Sequence, residues 1–227
     1  MGSTTPTKPT FTTALLPPPG PSLTRPTLLD PSPQRNPPLF NDAMHVRTVV
    51  FVDEQRCVLE NEMDADDARS WHWVLYNDQQ KPVGVIRLVP PPHAAHEDVV
   101  KEYSAGVIKG FDGKEVQVGE RSYADSKNLG SAYVKLTRVA LLKEYRGMGL
   151  ARVLIDTALE WAVKNWRVLG EGEGKPWSGL VLVHAQVVAE GMYARLGFVT
   201  DKSMDIWVEE GIEHVGMWKQ VDMSGTS

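Results

Sequence analysis

The stretch K143-E-Y-R-G-M-G-L-A-R152 decides how the rest of the chain is interpreted. It lies between a run of strand-forming residues, "AYVKLTRVALL" at 132–142, and a long amphipathic pattern that begins at Leu150. Glycine costs about 1 kcal/mol relative to alanine inside a helix. Gly147 and Gly149 at the start of a helix therefore need a physical reason, and the close approach of a ligand to the backbone is one.

Three phosphate-binding designs share the order strand, glycine turn, helix, and two of them do not fit. A P-loop requires Gly-Lys-Ser/Thr, whereas Leu-Ala-Arg follows here, and the dinucleotide fingerprint requires glycine at the position of Arg152. The remaining pattern is Arg-x-x-Gly-x-Ala across Arg146, Gly149 and Ala151. The first-turn N–H groups of a helix have no acceptor within it and favour a pyrophosphate. A tight left-handed turn without a ligand gives a similar pattern, so both interpretations stay open at this point.

The flanking sequence predicts alternating strands and helices. A helix capped by Asn41 is expected in "FNDAMHVRTVVFVDEQ", because apolar residues recur there at helical spacing. Further predicted elements are a hairpin at 71–89, a strand at 132–142, a helix from 150 to about Trp166, a buried strand "LVLVHAQ", a short helix ending at Gly197, and a final hairpin made of "SMDIWVEE" and "HVGMWKQV". This order predicts a single mixed α/β domain over 39–222, with a mixed central sheet flanked by helices.

Two segments and a tail are expected to lie outside this pattern. Eleven of the sixteen prolines fall in residues 1–38, which predicts a largely flexible extension with a short strand around Thr27–Leu29. Residues 90–131 are polar and rich in turn formers, and their length is typical of an insertion. Residues 223–227 are expected to form a tail.

Composition excludes several classes of function. The net charge is −5, whereas a nucleic-acid-binding domain is expected to carry a basic stripe. No apolar run approaches the roughly 20 residues of a membrane span. Cys57 is the only cysteine, which favours a reducing compartment, and the histidines form no ligand cluster, so no metal is expected. We therefore expect a cytoplasmic protein that binds neither nucleic acid nor membrane.

Two motifs together point to a family. "RVALLKEYRGMGLA" (138–151) resembles the coenzyme-binding motif of the GNAT superfamily of N-acetyltransferases. "QVVAEGMYARLGF" (186–198) resembles the second family motif, with Gln186 in place of asparagine and Met192 in place of an aromatic residue, while Tyr193 matches. The resemblance extends from about 39 to 221. "VRTVVFVDEQ" and "EEGIEHVGMW" are similar to the ElaA-like branch.

The resemblance implies a fold and a co-substrate. In the GNAT fold two parallel strands of the central sheet splay apart, and the pantetheine arm of acetyl-CoA lies between them like a strand. The arm would pair with the backbone of Val139 and Leu141, and the backbone from Gly147 to Arg152 would hold the diphosphate. The residues that we expect to contact the coenzyme are Val139, Ala140, Leu141, Arg146, Gly147, Met148, Gly149, Leu150, Ala151, Arg152 and Gln186.

The implied chemistry is the attack of an amine on a thioester. An alkylammonium must first lose a proton, so a general base is needed, and the family's usual oxyanion donor corresponds to the Leu141 N–H. Tyr193 occupies the position of the general acid, although packing against Phe198 would also explain it.

The general base is harder to identify from the sequence. The candidates are Glu62, its neighbours Glu54 and Glu60, and His214. A solvated acidic loop would also explain the glutamates, and a structural cap would also explain the histidine. The same reasoning assigns His184 to the core. The acidic stretch 60–67 is also a candidate for recruiting a cationic substrate.

The sequence thus predicts an acetyl-CoA-dependent N-acetyltransferase that acts on a primary amine of a small molecule. Two alternatives remain. One is a non-catalytic module of the same fold that binds acyl-CoA or a partner protein. The other is an acyl-homoserine-lactone synthase, suggested by the spacing of Arg47, Phe51 and Glu54 but not by the second motif. Pairing through the last strands is common in the family, and the sequence leaves open whether this protein forms such a homodimer.

Overall fold

The computed structural model describes residues 9–93, 132–170 and 176–224. Most of the predicted insertion at 90–131 and part of the predicted tail lie outside the described residues. The described chain divides into two compact units, one made of residues 9–87 and 138–155 and the other of 88–93, 132–137, 156–170 and 176–224. The prediction of a single domain over 39–222 stays a prediction.

The first unit consists of helices and of strands that pair side by side in the order β1-β2-β3-β4. Its elements are β1 (Thr12–Leu16), α1 (Pro38–Arg47), a π-helical segment (Thr48–Glu54), α2 (Leu59–Glu62), a 3-10 turn (Asp67–Arg69), β2 (Trp71–Tyr76), β3 (Pro82–Val89), the end of β4 (Tyr133–Leu141) and the start of α3 (Leu150–Lys164). The hairpin predicted at 71–89 is confirmed as β2 and β3.

Part of the N-terminal extension is ordered, and the prediction of flexibility is wrong for Thr12–Leu16. These residues form β1, which pairs antiparallel with β2, so that Thr12 faces Tyr76 and Leu16 faces His72. This short run contains no proline, and its amides can therefore join a ladder. The strand predicted at Thr27–Leu29 is wrong as well, because Pro26 and Pro31 bracket it and leave Leu28 and Leu29 exposed in bends.

Helix α1 begins at Pro38 rather than after Asn41, which was the predicted cap. Proline suits the first helical turn, where its missing N–H is not needed and its fixed φ is already helical. The Asn41 side chain instead donates a hydrogen bond to the Pro33 carbonyl at 3.0 Å. The apolar face of α1 and of the π-helical segment joins the core of the unit, which comprises Ala43, Val46, Val50, Val74, Val85 and Ala140.

A buried set of charges crosses this unit, and we call it the arginine–carboxylate network. Its members are Arg47, Arg87, Arg138, Glu62, Asp64 and Asp67. The Arg47 side chain is fully buried and lies 2.7 Å from both Glu62 Oε1 and Asp67 Oδ1. The buried Arg87 contacts Asp67 Oδ1 at 2.8 Å and Asp64 Oδ1 at 2.6 Å.

The arginines of the network hold Asp64 and Asp67 in the ionised form. Burial alone would raise the pKa of Asp64, but the charges of Arg87 and Arg138 lower that pKa to about 2. Burial likewise opposes ionisation of Asp67, yet Arg47 and Arg87 hold its pKa well below the usual range. Each of these charges is favourable only because its partners are present.

The second unit is built around strands β4, β5 and β8. Its elements are the start of β4, the end of α3, α4 (Trp166–Gly170), β5 (Leu180–Gln186), α5 (Glu190–Arg195), β6 (Val199–Thr200), β7 (Ile206–Glu209) and β8 (Ile212–Gln220). A parallel ladder pairs Tyr133–Leu136 with Leu180–Val183, and β5 then pairs antiparallel with β8. Strands β6 and β7 both pair with β8.

Most elements predicted for this unit are confirmed: β4, β5, the helix that ends before Gly197, and the final hairpin. The helix predicted to run to Trp166 ends at Lys164, and α4 follows it. The core of the unit contains Leu182, Met204 and Trp207. Among the described helices, none has both the length and the apolar character needed to cross a bilayer.

Replacing Asp67 with asparagine tests the network. At pH 7 we expect Asp67→Asn to lower the free energy of unfolding by about 3–5 kcal/mol, because two buried guanidiniums lose a shared partner. The folded-state pKa of Asp67 is depressed, so its contribution exists above the unfolded value of about 3.9 and is lost as the pH falls toward the folded value. Urea unfolding at several pH values should therefore show the difference between variant and wild type shrinking from pH 5 to pH 3.

The matched control is the neighbouring Asp66→Asn. Asp66 pairs with Arg69 at 2.7 Å at a site where both side chains are about one-third exposed, and such a pair contributes about 0–1 kcal/mol. Equal losses of stability in the two variants would contradict the role assigned to Asp67.

Candidate functional site

The loop between β4 and α3 has an unusual backbone. Gly147 and Gly149 have φ of 76° and 79°, in the left-handed region that side chains disfavour. At both positions no heavy atom lies within 4 Å of the place that a Cβ would occupy. The two glycines therefore satisfy the backbone turn and leave open space on the face that side chains would fill.

Helix α3 starts directly after this loop. The Gly149 carbonyl accepts the first helical hydrogen bond, from the Val153 N–H at 3.4 Å. Leu150 is buried and anchors the first turn, whereas Met148 and Arg152 are exposed. The N–H groups of Leu150 and Ala151 lie in that turn, where the helix supplies no acceptor and the positive end of its dipole favours an anion.

Arg146 connects the loop to two other segments. Its Nε donates to the Leu141 carbonyl at 2.9 Å, and its Nη2 lies 2.7 Å from Glu54 Oε2. The arginine of the predicted coenzyme motif thus fixes the end of β4 and pairs with the last residue of the π-helical segment. The sequence suggested Arg146 and Glu54 separately but gave no sign that they are partners.

The strand edge predicted to bind the coenzyme follows an irregular step in β4. Arg138 has φ of 53°, although it is not glycine, and it immediately precedes Val139, Ala140 and Leu141. This step was not predicted from the sequence, because left-handed residues are usually recognised as glycine or asparagine. Leu142, just after the edge, donates its N–H to the Val83 carbonyl at 2.9 Å.

Glu62 lies in the arginine–carboxylate network rather than in a solvated loop. Its Oε1 is 2.7 Å from Arg47 Nε and 3.0 Å from Arg138 Nε, and its side chain is 6% exposed. The carboxylates of Glu62, Asp64 and Asp67 are each paired with arginines, so most of the charge of the acidic stretch is compensated within the unit. Glu60, by contrast, is exposed.

In the second unit, Gln186 is at the end of β5 and Tyr193 lies in the helix that follows, α5. Gln186 is the last residue of that strand and faces His214 in the register with β8. Tyr193 is buried in α5, with its ring 5.4 Å from that of Phe198 in an edge-to-face contact. Burial raises the pKa of the Tyr193 phenol, so the hydroxyl stays protonated at neutral pH.

His214 belongs to a small cluster on β5, β7 and β8. Its Nδ1 lies 2.8 Å from the Ile212 carbonyl, which can only accept, so Nδ1 carries the proton and Nε2 is the basic nitrogen. Its ring stacks on Trp207 with the planes inclined by 26°.

The sequence analysis missed Glu209 in the same cluster. Glu209 accepts from Trp207 Nε1 at 2.6 Å and lies 3.3 Å from His184 Nδ1. Burial opposes its ionisation, but these donors bring the pKa of Glu209 down to about 2. Burial lowers the pKa of His184, which fits the prediction of a core histidine. Within the described parts of the chain, no group of three or more His, Cys, Asp or Glu side chains is arranged to hold a metal ion.

Comparison with known proteins gives a consistent result. A Bacillus subtilis (strain 168) protein provisionally named as an acetyltransferase is 29% identical over 185 residues, which cover 81% of this chain and 90% of that protein. The crystal structure of an acyl-CoA N-acyltransferase from Pseudomonas aeruginosa shares the fold, with a TM-score of 0.53 and 21% identity over 92% of this chain and 99% of that one.

Escherichia coli ElaA aligns with a TM-score of 0.48 and 18% identity, covering 79% of this chain and 88% of that one, so the ElaA-like branch stays a prediction. A family model described as the acetyltransferase (GNAT) family matches residues 38–198, which is more than half of the chain. The chain therefore belongs to the GNAT family of acetyltransferases.

Proposed function

We propose that this protein is an N-acetyltransferase that transfers the acetyl group of acetyl-CoA directly to a primary amine of a small molecule. Family membership supports an acyltransferase. The observation that carries the finer proposal is the loop at Gly147 and Gly149, whose two left-handed glycines leave open space directly before a helix N-terminus. A diphosphate is the group that such a backbone suits.

The proposed contacts with the coenzyme are made largely by the backbone. Val139 and Leu141 would pair with the amides of the pantetheine arm as one strand pairs with another. The N–H groups from Gly147 to Arg152 would receive the diphosphate, and the side-chain amide of Gln186 would bond the arm where the family usually has asparagine. Acetyl-CoA supplies the acyl group as a thioester.

The remaining proposed roles are proton transfer and stabilisation of the developing negative charge. We assign proton removal from the ammonium to His214, whose Nε2 is the basic nitrogen. The Leu141 N–H would stabilise the negative charge that develops on the thioester oxygen. As the C–N bond forms and the C–S bond breaks, the Tyr193 hydroxyl would protonate the departing sulfur, and the second proton lost by the attacking nitrogen would restore that hydroxyl. Because Glu62 pairs with Arg47 and Arg138, we assign it a positioning role rather than the role of base.

A thiol-release assay tests the activity itself. Purified protein is incubated with acetyl-CoA and a panel of amino sugars, polyamines, amino acids and peptides, and free thiol is followed with time. We expect amine-dependent release with at least one class of acceptor. Coenzyme binding without any release would instead indicate a non-catalytic binding module, and no affinity for the coenzyme would contradict both functions.

Substitution of Gly149 tests the diphosphate contact. We expect Gly149→Ala to weaken the affinity for coenzyme A by at least tenfold in calorimetry, equivalent to about 1.4 kcal/mol, because the added methyl group enters the open space. Gly20→Ala is the matched control, since Gly20 has φ of 80° and the same open surroundings. Both variants carry the strain of a left-handed alanine, about 1–2 kcal/mol, but only Gly149→Ala should lose affinity. Equal affinities would exclude this loop as the binding site.

Removal of the Tyr193 hydroxyl separates catalysis from packing. We expect Tyr193→Phe to lower kcat by about 10²-fold or more while the affinity for acetyl-CoA stays within threefold of wild type, because the phenol acts on the leaving group. Tyr76→Phe is the control, since it deletes a hydroxyl that donates to Asp42 at 2.6 Å in the first unit. That control should lose stability and keep its kcat. An unchanged kcat in Tyr193→Phe would leave only the packing role against Phe198.

A further inference from the structure

Arg138 occupies a strained position in the middle of strand β4. A residue other than glycine in the left-handed region is strained and persists only where its surroundings hold it there. Its φ of 53° stands directly before Val139, the first residue of the edge proposed to bind the coenzyme arm. The direction of this edge therefore depends on what holds Arg138.

The guanidinium of Arg138 is held by two carboxylates. Its Nε lies 3.0 Å from Glu62 Oε1, and its Nη2 lies 3.0 Å from Asp64 Oδ2. The same Nη2 donates to the Glu62 backbone carbonyl at 3.3 Å. The Arg138 side chain is 20% exposed, so these bonds are partly shielded from water and are stronger than those of a surface pair.

These carboxylates are themselves fixed by buried arginines. Glu62 is bound by Arg47 at the end of α1, and Asp64 is bound through both oxygens by Arg87 on β3, at 2.6 and 2.8 Å. The acceptors of Arg138 are thus anchored to two elements of the core and cannot follow the strand if it moves. The network therefore fixes the positions of the carboxylates that bind Arg138, which a single exposed ion pair would not do.

The other end of the same edge is fixed in a similar way. Arg146 donates to the Leu141 carbonyl at 2.9 Å and pairs with Glu54 at 2.7 Å. Val139, Ala140 and Leu141 therefore lie between two guanidiniums, each bound to carboxylates from the segment 48–67. The acidic stretch 60–67, interpreted from the sequence as a candidate for recruiting a cationic substrate, contributes Glu62 and Asp64 to these ion pairs.

We propose that Arg138 is a positioning residue for acyl transfer: its ion pairs with Glu62 and Asp64 hold the left-handed step of β4 and thereby aim the backbone of Val139–Leu141 at the thioester. This inference rests on the proposed function, in which the Leu141 N–H stabilises the developing oxyanion. A misplacement of about 1 Å in such a group can cost about 10²-fold in rate. Arg138 acts through the backbone that it carries and touches no reacting atom.

Arg138→Gly distinguishes the ion pairs from backbone strain. Glycine adopts φ of 53° without cost but has no guanidinium, so the variant removes the ion pairs of Arg138 and relieves the backbone strain. We expect kcat to fall about 30- to 100-fold, with the affinity for acetyl-CoA within threefold of wild type. Asp64→Asn should also lower kcat, and the double variant should be no worse than the more impaired single variant, since the Arg138–Asp64 ion pair is already lost in each single variant.

Arg69→Ala is the matched control, because Arg69 pairs with Asp66 at 2.7 Å in the same acidic segment and neither residue of this ion pair belongs to β4. It should keep the kcat of wild type. A wild-type kcat in Arg138→Gly, measured alongside an active wild-type enzyme, overturns the proposal. Additive losses in the double variant overturn it as well, because they would place Arg138 and Asp64 in separate roles.

Amide hydrogen exchange of Val139–Leu141 tests, without any coenzyme, whether the ion pairs of Arg138 hold this part of β4. We expect exchange at least tenfold faster in Arg138→Gly than in Arg69→Ala, whereas equal exchange overturns the proposal even if activity changes. If wild-type protein shows no affinity for coenzyme A, the proposed function fails, and the exchange measurement still decides whether Arg138 holds the strand.

Discussion

Arg47 and Arg87 have lost almost all contact with water, and the arrangement of the first unit depends on how their charges are compensated. A buried guanidinium without a carboxylate is strongly unfavourable, so Asp67 has to lie between the two arginines, and Glu62 and Asp64 have to lie beside them. This requirement determines the path of the chain from the end of α1 to the start of β2, a stretch whose helical elements are all short.

The same carboxylates extend the constraint to β4. Glu62 and Asp64 each bind one buried arginine and also Arg138, which connects the interior of the unit to the edge that follows this residue. Arg146 adds a second connection through Glu54. In the first unit the paired charges described here serve mainly to fix geometry. The chemistry proposed for the edge needs only backbone groups in the correct place, and the side chains of the motif provide that placement.

The sequence was most informative where short-range pattern determines the outcome. Alternating and continuous apolar runs predicted β2, β3, β4 and β5, and the glycines of the loop were recognised from the motif alone. It was least informative where the partner is distant along the chain. Glu62 contacts Arg138 across 76 positions, and no local feature shows that this carboxylate is buried. The left-handed step at Arg138 escaped prediction for the same reason, since a residue other than glycine is held there by contacts and not by its own preference.

Strand β1 has a practical consequence for anyone who shortens this protein. Residues before 39 have the composition of a dispensable leader, and a truncation at that point is the natural choice. Yet Thr12–Leu16 pairs with five of the six residues of β2, from Tyr76 to His72. Its removal would leave a row of amide and carbonyl groups without partners, and such an uncovered edge pairs readily with other chains. Aggregation of the trimmed protein would then reflect a missing strand rather than an unstable enzyme.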